Sequence, residues 1–467
     1  MINEIQKFDL IVIGGGSAGY AAARTYNDGG GKVAVIDNGE ELGGLCILRG
    51  CMPSKTLLYA AETLHLAKQG KTFGFEQVKL KPDMMAMQQR KKEIISEFAQ
   101  YRTEQLEDGR FSLYRSHAKF LNDSIIELSD GKQLTSSHFM ISTGSKIAMP
   151  PIPGLEKVAF CTSDDVLALE EVPDETVVLG GGIVACELAQ FLNRVGSKVT
   201  LLQRSNRILK DFPEKASFCI HEKFELEGIQ IKTGVTVELL REVNEGLIEV
   251  KYLHEGISHA QETGFLFHAL GRSPLVEKLN LDKVGVKIKA SGHILTNSVQ
   301  QTSVPHIYAA GDCAGPHEIV HIAIRQGETA ALHALGKSPH PIVYDKLLGV
   351  VFTDPQVATV GLQPEELQKR GIDFLSADYP FDDHGKSILM EAKHGYVAVH
   401  AEKNTGVVLG AECVGKDAGE LIHSLSVAVS LQATVQQLAQ ADWYHPTLSE
   451  IWTYPIEDLA EEISLQA

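Results

Sequence analysis

One pattern occurs twice in this chain and restricts its fold more than any other feature. Asp9-Leu10-Ile11-Val12-Ile13-Gly14-Gly15-Gly16-Ser17-Ala18-Gly19 is an apolar run that breaks into glycines and then enters an Ala-rich helical stretch. Thr176-Val177-Val178-Leu179-Gly180-Gly181-Gly182-Ile183-Val184-Ala185 repeats the plan, and each copy leads through a helix to a second strand, Lys32 to Asp37 and Lys198 to Gln203. A strand, a glycine turn, a helix and a parallel strand form a βαβ unit, so the chain is expected to be α/β with two doubly wound nucleotide-binding folds. From about Tyr344 the pattern changes. Gly349-Val350-Val351-Phe352, Tyr396-Val397-Ala398-Val399 and Gly406-Val407-Val408-Leu409-Gly410 read as strands beside helices at Leu421 to Leu431 and Val435 to Gln440, an α+β arrangement.

With 467 residues and about 150 per domain, roughly three domains fit. The expected limits are 1–150 and 275–343 for a first unit in two parts, 151–274 for a second, and 344–467 for the C-terminal domain. Pro150-Pro151-Ile152-Pro153-Gly154 reads as the linker into the second unit. The composition, 44% apolar and 22% charged, is that of an ordinary globular protein. A net charge of −17 disfavours nucleic acid and anionic membranes as partners. No run approaches the ~18 apolar residues of a membrane span. The segment Met1 to Asp9 lacks a signal-peptide core, so a cytoplasmic location is expected. Seven scattered cysteines do not make a secreted disulfide scaffold; only Cys46 and Cys51 lie close together.

A glycine turn that opens a helix lets the backbone approach a pyrophosphate, whose charge rests at the helix N-terminus. Gly14, Gly16, Ser17, Ala18 and Gly19 fit that role, and Asp37 closes the next strand where a ribose hydroxyl needs an acceptor. The second loop, Gly180, Gly182, Ile183, Val184 and Ala185, precedes a strand that ends in Gln203 and not in an acid; Arg204, Arg207 and Lys210 follow. Basic side chains there suit a 2′-phosphate, so NADP(H) is favoured over NAD(H); the alternative is a solvated basic loop.

The segment Gly43-Gly44-Leu45-Cys46-Ile47-Leu48-Arg49-Gly50-Cys51-Met52-Pro53-Ser54-Lys55 carries the strongest chemistry. Its spacing lets the sulfurs meet if the segment coils, and Pro53 suits the first turn of the helix that follows. A helix N-terminus, with Arg49 and Lys55 nearby, should lower a thiol pKa. No further Cys or His ligands stand close by, so no metal is expected. Two merely structural cysteines are the alternative.

These motifs resemble those of the FAD-dependent pyridine nucleotide–disulfide oxidoreductases, over essentially the whole chain. The resemblance implies FAD as cofactor, with Gly44, Lys55, His117-Ala118, Thr143-Gly144 and Gly311-Asp312 in the flavin site and Gly271 in the hinge out of the second nucleotide fold. It implies that Lys55 pairs with Glu187 between flavin and nicotinamide, that Cys46 exchanges with substrate and that Cys51 faces the flavin. His445-Pro446-Thr447-Leu448-Ser449-Glu450 matches the family's base motif; read alone, such a His is more often a cap or core residue. In the family this base reaches the cysteine of the other subunit, so a homodimer with a shared site is expected, and 344–467 is its interface domain. The implied substrate is a small or protein-bound dithiol or disulfide. Among family members the resemblance is greatest to dihydrolipoamide dehydrogenase. The Ala185 loop is more like NADPH-dependent glutathione reductase, and Leu48-Arg49 stands where Asn-Val is usual in both. The tail Glu461 to Ala467 has no cysteine pair, which disfavours mercuric reductase, and the presence of both redox cysteines disfavours soluble transhydrogenase. A flavin-containing redox sensor is a further alternative, disfavoured by the complete set Cys46, Cys51, His445 and Glu450. Cys161, Cys186, Cys219, Cys313 and Cys413 read as packing residues, and Glu457, Asp458, Glu461 and Glu462 as a solvated terminus.

Overall fold

A computed structural model describes residues 5–76 and 79–466. The terminal residues Met1–Glu4 and Ala467, named in the readings above, lie outside them. The first sheet runs in the order Phe111–Tyr114, Val33–Ile36, Gln6–Ile13, Gln133–Ile141, Ile125–Leu128, Ala118–Asn122, and Ile307–Ala309 also pairs with Gln133–Ile141. The strands flanking Gln6–Ile13 are parallel to it, with Ile13 beside both Ile36 and Ile141, and Ala309 pairs with Ile141 in turn. Four strands therefore end at one level, and the loops that leave them carry Gly14, Asp37, Thr143 and Gly311. Val33–Ile36 is buried throughout, as a parallel strand covered on both faces must be. Leu10 and Val12 pack toward the helices Ser17–Asp28 and Val320–Ala334, and Ile11 and Ile13 toward Phe120 and Phe139.

The second parallel sheet is Gln230–Lys232, Lys198–Leu202, Glu175–Leu179 and Leu266–His268. Beside it lies an antiparallel meander, Thr236–Asn244, Leu247–His254 and Ile257–Thr263, whose two tight turns are Glu245-Gly246 and Glu255-Gly256. Ser145–Ile147 and Arg272–Pro274 pair antiparallel where the chain enters and leaves this unit, and Ala148 N–H donates to Gly271 O at 3.0 Å. The expected hinge is thus a two-stranded ribbon.

The C-terminal domain is a five-stranded antiparallel sheet, Leu348–Val351, Gln356–Gly361, Val408–Gly415, Tyr396–Glu402 and Phe374–Pro380, covered by the helices Ala418–Leu431 and Thr453–Gln466. The expected acidic terminus is the outer face of an amphipathic helix: Ile456, Leu459 and Ile463 are buried, while Glu457, Asp458, Glu461 and Glu462 are exposed. The molecule is α/β, with two dinucleotide-binding folds and an α+β C-terminal domain. Leu57 and Ala61 of the helix Cys51–Lys68 share a core with Leu188 and Phe191 of the helix Ile183–Val195 and with Val351 of the C-terminal sheet. Three parts of the chain are fixed against one another at that point. Among the described residues no helix is long and apolar enough to cross a membrane.

Trp452 anchors the C-terminal core. It is fully buried, and its indole N–H donates to Leu421 O at 3.1 Å. Trp452→Ala leaves a large cavity and should cost about 3–5 kcal/mol, read as a lower midpoint in denaturant unfolding; an unchanged midpoint contradicts this packing.

Candidate active site

The dithiol is made by a break between two helices. Gly44–Arg49 is one short turn of helix, Gly50 interrupts it, and Cys51–Lys68 starts immediately. A Cβ on Gly50 would lie 2.9 Å from Leu45 O and 3.3 Å from Cys46 Cα, so only glycine lets the backbone fold back this closely. Cys46 and Cys51 are both reduced and partly buried. The Cys46 thiol hydrogen-bonds to Cys51, which lowers Cys51 to about 7 against the cost of burial; Lys55 adds a smaller favourable charge. The same hydrogen bond and burial push Cys46 up. Two thiols therefore share one proton, as coupled groups do. Both positive charges named from the sequence were expected to act here, but Arg49 is mostly exposed and lies 3.6 Å from Asp164. A partner distant in sequence takes it.

One turn into the helix, Lys55 Nζ donates to Glu187 Oε2 at 2.8 Å. Glu187 is buried, and its other oxygen accepts the Phe352 N–H at 2.9 Å, so both carboxylate oxygens are satisfied. Lys55 Nζ also lies 4.5 Å from the Phe352 ring centroid. In the sequence Phe352 is only the end of an apolar strand; nothing there points to Lys55 or Glu187.

The glycine loops sit at the carboxyl ends of their sheets. Gly14 has φ +104°, and a Cβ there would lie 2.3 Å from Ser142 O. Gly16 has nothing closer than 3.8 Å, and it opens onto the helix Ser17–Asp28, whose N-terminus has no side-chain cap. Ala18 and Gly19 are buried in its first turn. Asp37 accepts the N–H groups of Gly15 at 2.8 Å and Gly39 at 2.9 Å, and each carboxylate oxygen keeps a free lone pair. Ala118 begins a strand, beside which His117 Nε2 lies 3.2 Å from Asn38. Thr143 Oγ1 is buried with no hydrogen-bond partner among the described residues, Gly144 has φ +72°, and Gly311 donates its N–H to Gln326 at 2.7 Å. Asp312 accepts from Ser145 Oγ at 2.6 Å, which in turn accepts from Arg272 Nε at 2.8 Å. An orphaned hydroxyl and an open, uncapped helix start are the features a dinucleotide would satisfy.

In the second loop a Cβ on Gly180 would lie 2.4 Å from Ala269 O, while Gly182 has open space. Ile183 and Val184 are exposed apolar residues at the start of their helix. Gln203 Nε2 donates to Ser205 Oγ. Of the three basic residues only Arg204 and Lys210 remain outward; Arg207 Nη1 donates to Phe212 O at 2.6 Å.

His445 and Glu450 form a separate pair. Nδ1 lies 3.0 Å from both carboxylate oxygens; His445 is 78% exposed and Glu450 is buried. Among the described residues no hydrogen bond or ion pair within the chain joins this pair to the dithiol. Behind Glu450 lies His384, fully buried, which no sequence motif marks. The remaining cysteines carry no such arrangement. Cys186, Cys313 and Cys413 are buried, but Cys161 and Cys219 are only half-buried, contrary to expectation; burial still pushes these two up to about 11 and about 12. His65, Glu227 and Asp354 have metal-like spacing, yet Arg194 donates to both acids at 2.6 and 2.7 Å, so a guanidinium already neutralises them.

Residues 8–327 match the family model for pyridine nucleotide-disulphide oxidoreductases, and residues 348–455 match that family's dimerisation domain. The chain belongs to this family. Its members bind FAD and a pyridine nucleotide, and the dimerisation domain implies a homodimer. The chain is 34% identical over 449 residues to a mercuric reductase of Staphylococcus aureus, covering 96% of this chain and 82% of the relative. It is 34% identical over 452 residues to a dihydrolipoyl dehydrogenase of Thermus scotoductus and 30% identical over 451 residues to one of Chlamydia muridarum, with 96% of each chain covered. Mercuric reductase, disfavoured on the tail, thus stands beside dihydrolipoyl dehydrogenase at equal identity, and similarity does not select the substrate.

If Lys55 helps stabilise the Cys51 thiolate, Lys55→Met should raise the lower dithiol pKa above about 7, by roughly half to one pH unit. Thiolate absorbance of the reduced protein against pH reads this; an unchanged titration contradicts it.

Proposed function

We propose that this chain is an FAD-dependent oxidoreductase of the dihydrolipoamide dehydrogenase type, which passes electrons between NADP(H) and an external dithiol or disulfide through Cys46 and Cys51. The observation that carries this reading is the placing of Cys46 and Cys51 on either side of the helix break at Gly50, with Lys55 one turn on and paired to Glu187. The oxidised form of this dithiol is the species that meets a substrate thiolate. The thiolate attacks Cys46 Sγ, the Cys46–Cys51 bond breaks, and Cys51 leaves as the thiolate that its position at the helix start favours. The second substrate thiol then closes the substrate disulfide, and Cys46 departs and takes up a proton. His445 Nε2 serves as the base for these transfers, with Glu450 on Nδ1 fixing the tautomer and bearing the imidazolium charge. Its exposure suits a site completed by Cys46 of the partner subunit. Bound FAD supplies a two-electron carrier between the dithiol and the nicotinamide.

The flavin would be held by Gly14, Gly16, Ser17, Ala18, Gly19, Asp37, Gly44, Ala118, Thr143, Gly144, Gly311 and Asp312. The nicotinamide nucleotide would be held by Gly180, Gly182, Ile183, Val184, Gln203 and Gly271, with Arg204 and Lys210 on the 2′-phosphate. The domain limits 1–150, 151–274, 275–343 and 344–467 belong to the same reading, as does a location in the cytoplasm. The His445–Glu450 pair favours turnover over a redox sensor, because only substrate thiols need a base. The likeness of Met52-Pro53-Ser54-Lys55 together with His445 to Glu450 to dihydrolipoamide dehydrogenase supports a lipoyl group over glutathione disulfide.

Cys46→Ser should keep its yellow colour and lose about a thousandfold or more of its turnover. A screen of lipoamide, glutathione disulfide and mercuric ion should give the highest kcat/KM with lipoamide, and NADPH should exceed NADH. Arg204→Ala with Lys210→Ala should reduce NADPH use about tenfold or more and spare NADH. Full activity of Cys46→Ser overturns the dithiol role; faster reduction by NADH overturns the coenzyme assignment.

A further inference from the structure

Glu450 stands between two histidines. On its outer side is His445; on its inner side is His384, whose side chain has no solvent exposure. His384 Nδ1 lies 2.8 Å from the hydroxyl of Ser387, which is itself fully buried. The opposite ring nitrogen, Nε2, has no ordinary hydrogen-bond partner among the described residues and lies 3.4 Å from Glu450 Oε1. A buried ring nitrogen is satisfied only by a polar group in front of it, and the Glu450 carboxylate is that group.

We infer that His384 is a positioning residue for the His445–Glu450 pair: Ser387 holds its Nδ1, and its Nε2–H is aimed at the Glu450 carboxylate. The inference rests on the reading of His445 as the base. With the Ser387 hydroxyl donating to Nδ1, the proton of the neutral ring is on Nε2, facing Glu450. Burial and the neighbouring His445 keep His384 toward its neutral form, although Glu450 pulls the other way. The other groups around the ring do not compete for this role. Tyr454 meets it edge-on, with ring centroids 6.4 Å apart, and Asp383, next in the chain, takes the Tyr379 hydroxyl at 2.9 Å.

A neutral donor on Glu450 matters most once His445 has given up its Nε2 proton, because the buried carboxylate then faces no positive charge. Removing the donor destabilises that state and makes the pair hold its proton to higher pH. A residue that only fills space would lower stability or overall rate and would not move a pH profile.

The test is the rate at which iodoacetamide alkylates Cys46 in the dithiothreitol-reduced holoenzyme, followed by peptide mass spectrometry across pH. The wild-type profile should contain a step from loss of the neighbouring imidazolium proton, and His445→Gln should lack it. His384→Leu should move that step upward by about half a pH unit. His384→Gln, which returns an amide N–H near the position of Nε2, should bring it back. Ser387→Ala should move it the same way by less, and with His384→Gln it carries the test if the leucine variant does not fold. A step that stays at the wild-type pH in His384→Leu, or in Ser387→Ala where that variant decides, overturns the positioning role and leaves His445 intact as the base. A wild-type profile identical to that of His445→Gln overturns both.

Discussion

The meeting of two cysteines at a break between two helices organises the rest of the molecule. Cys51 opens a helix and Cys46 lies within the short helical turn before it, so one thiol donates and the other accepts. Burial opposes the negative charge that this creates, and the helix start and Lys55 offset it. Lys55 is useful there only because Glu187 holds it, and Glu187 can be buried as an acid only because Lys55 and the Phe352 N–H fill its oxygens. The chain of dependence runs from the flavin-type fold through the second nucleotide fold into the C-terminal sheet. This explains why all three share one core at that point.

The two parallel sheets do a complementary task. Each ends its central strands at one level, and the loops there leave open space beside the backbone at Gly16 and at Gly182. The same loops are closed elsewhere by contact: Gly14 against Ser142 and Gly180 against Ala269 leave no room for a Cβ. An open glycine at the helix start and a crowded glycine at the turn are different requirements met in one short motif.

Much of this was legible in the sequence because it is local. The glycine loops, the strand endings at Asp37 and Gln203, and the cysteine spacing all lie within about thirty residues, the scale of one βαβ unit. What was not legible depends on distant partners. Asp164 takes Arg49 away from the dithiol, and Phe352 supplies a donor to Glu187. His384 reaches Glu450 across a loop with no motif of its own. The strands of the meander from Thr236 to Thr263 are weakly marked in the sequence because the first and last are largely exposed and their apolar residues do not alternate strictly.

The central claim is that this dithiol and a bound flavin exchange an electron pair within one chain. Anaerobic reductive titration of the FAD-bound protein tests it most directly, with absorbance followed as reductant is added. The account predicts that each chain takes up two successive electron pairs, one for the disulfide and one for the flavin, and that Cys46→Ser takes up only one. A wild-type protein saturated by a single pair, with its thiols unchanged, would contradict it.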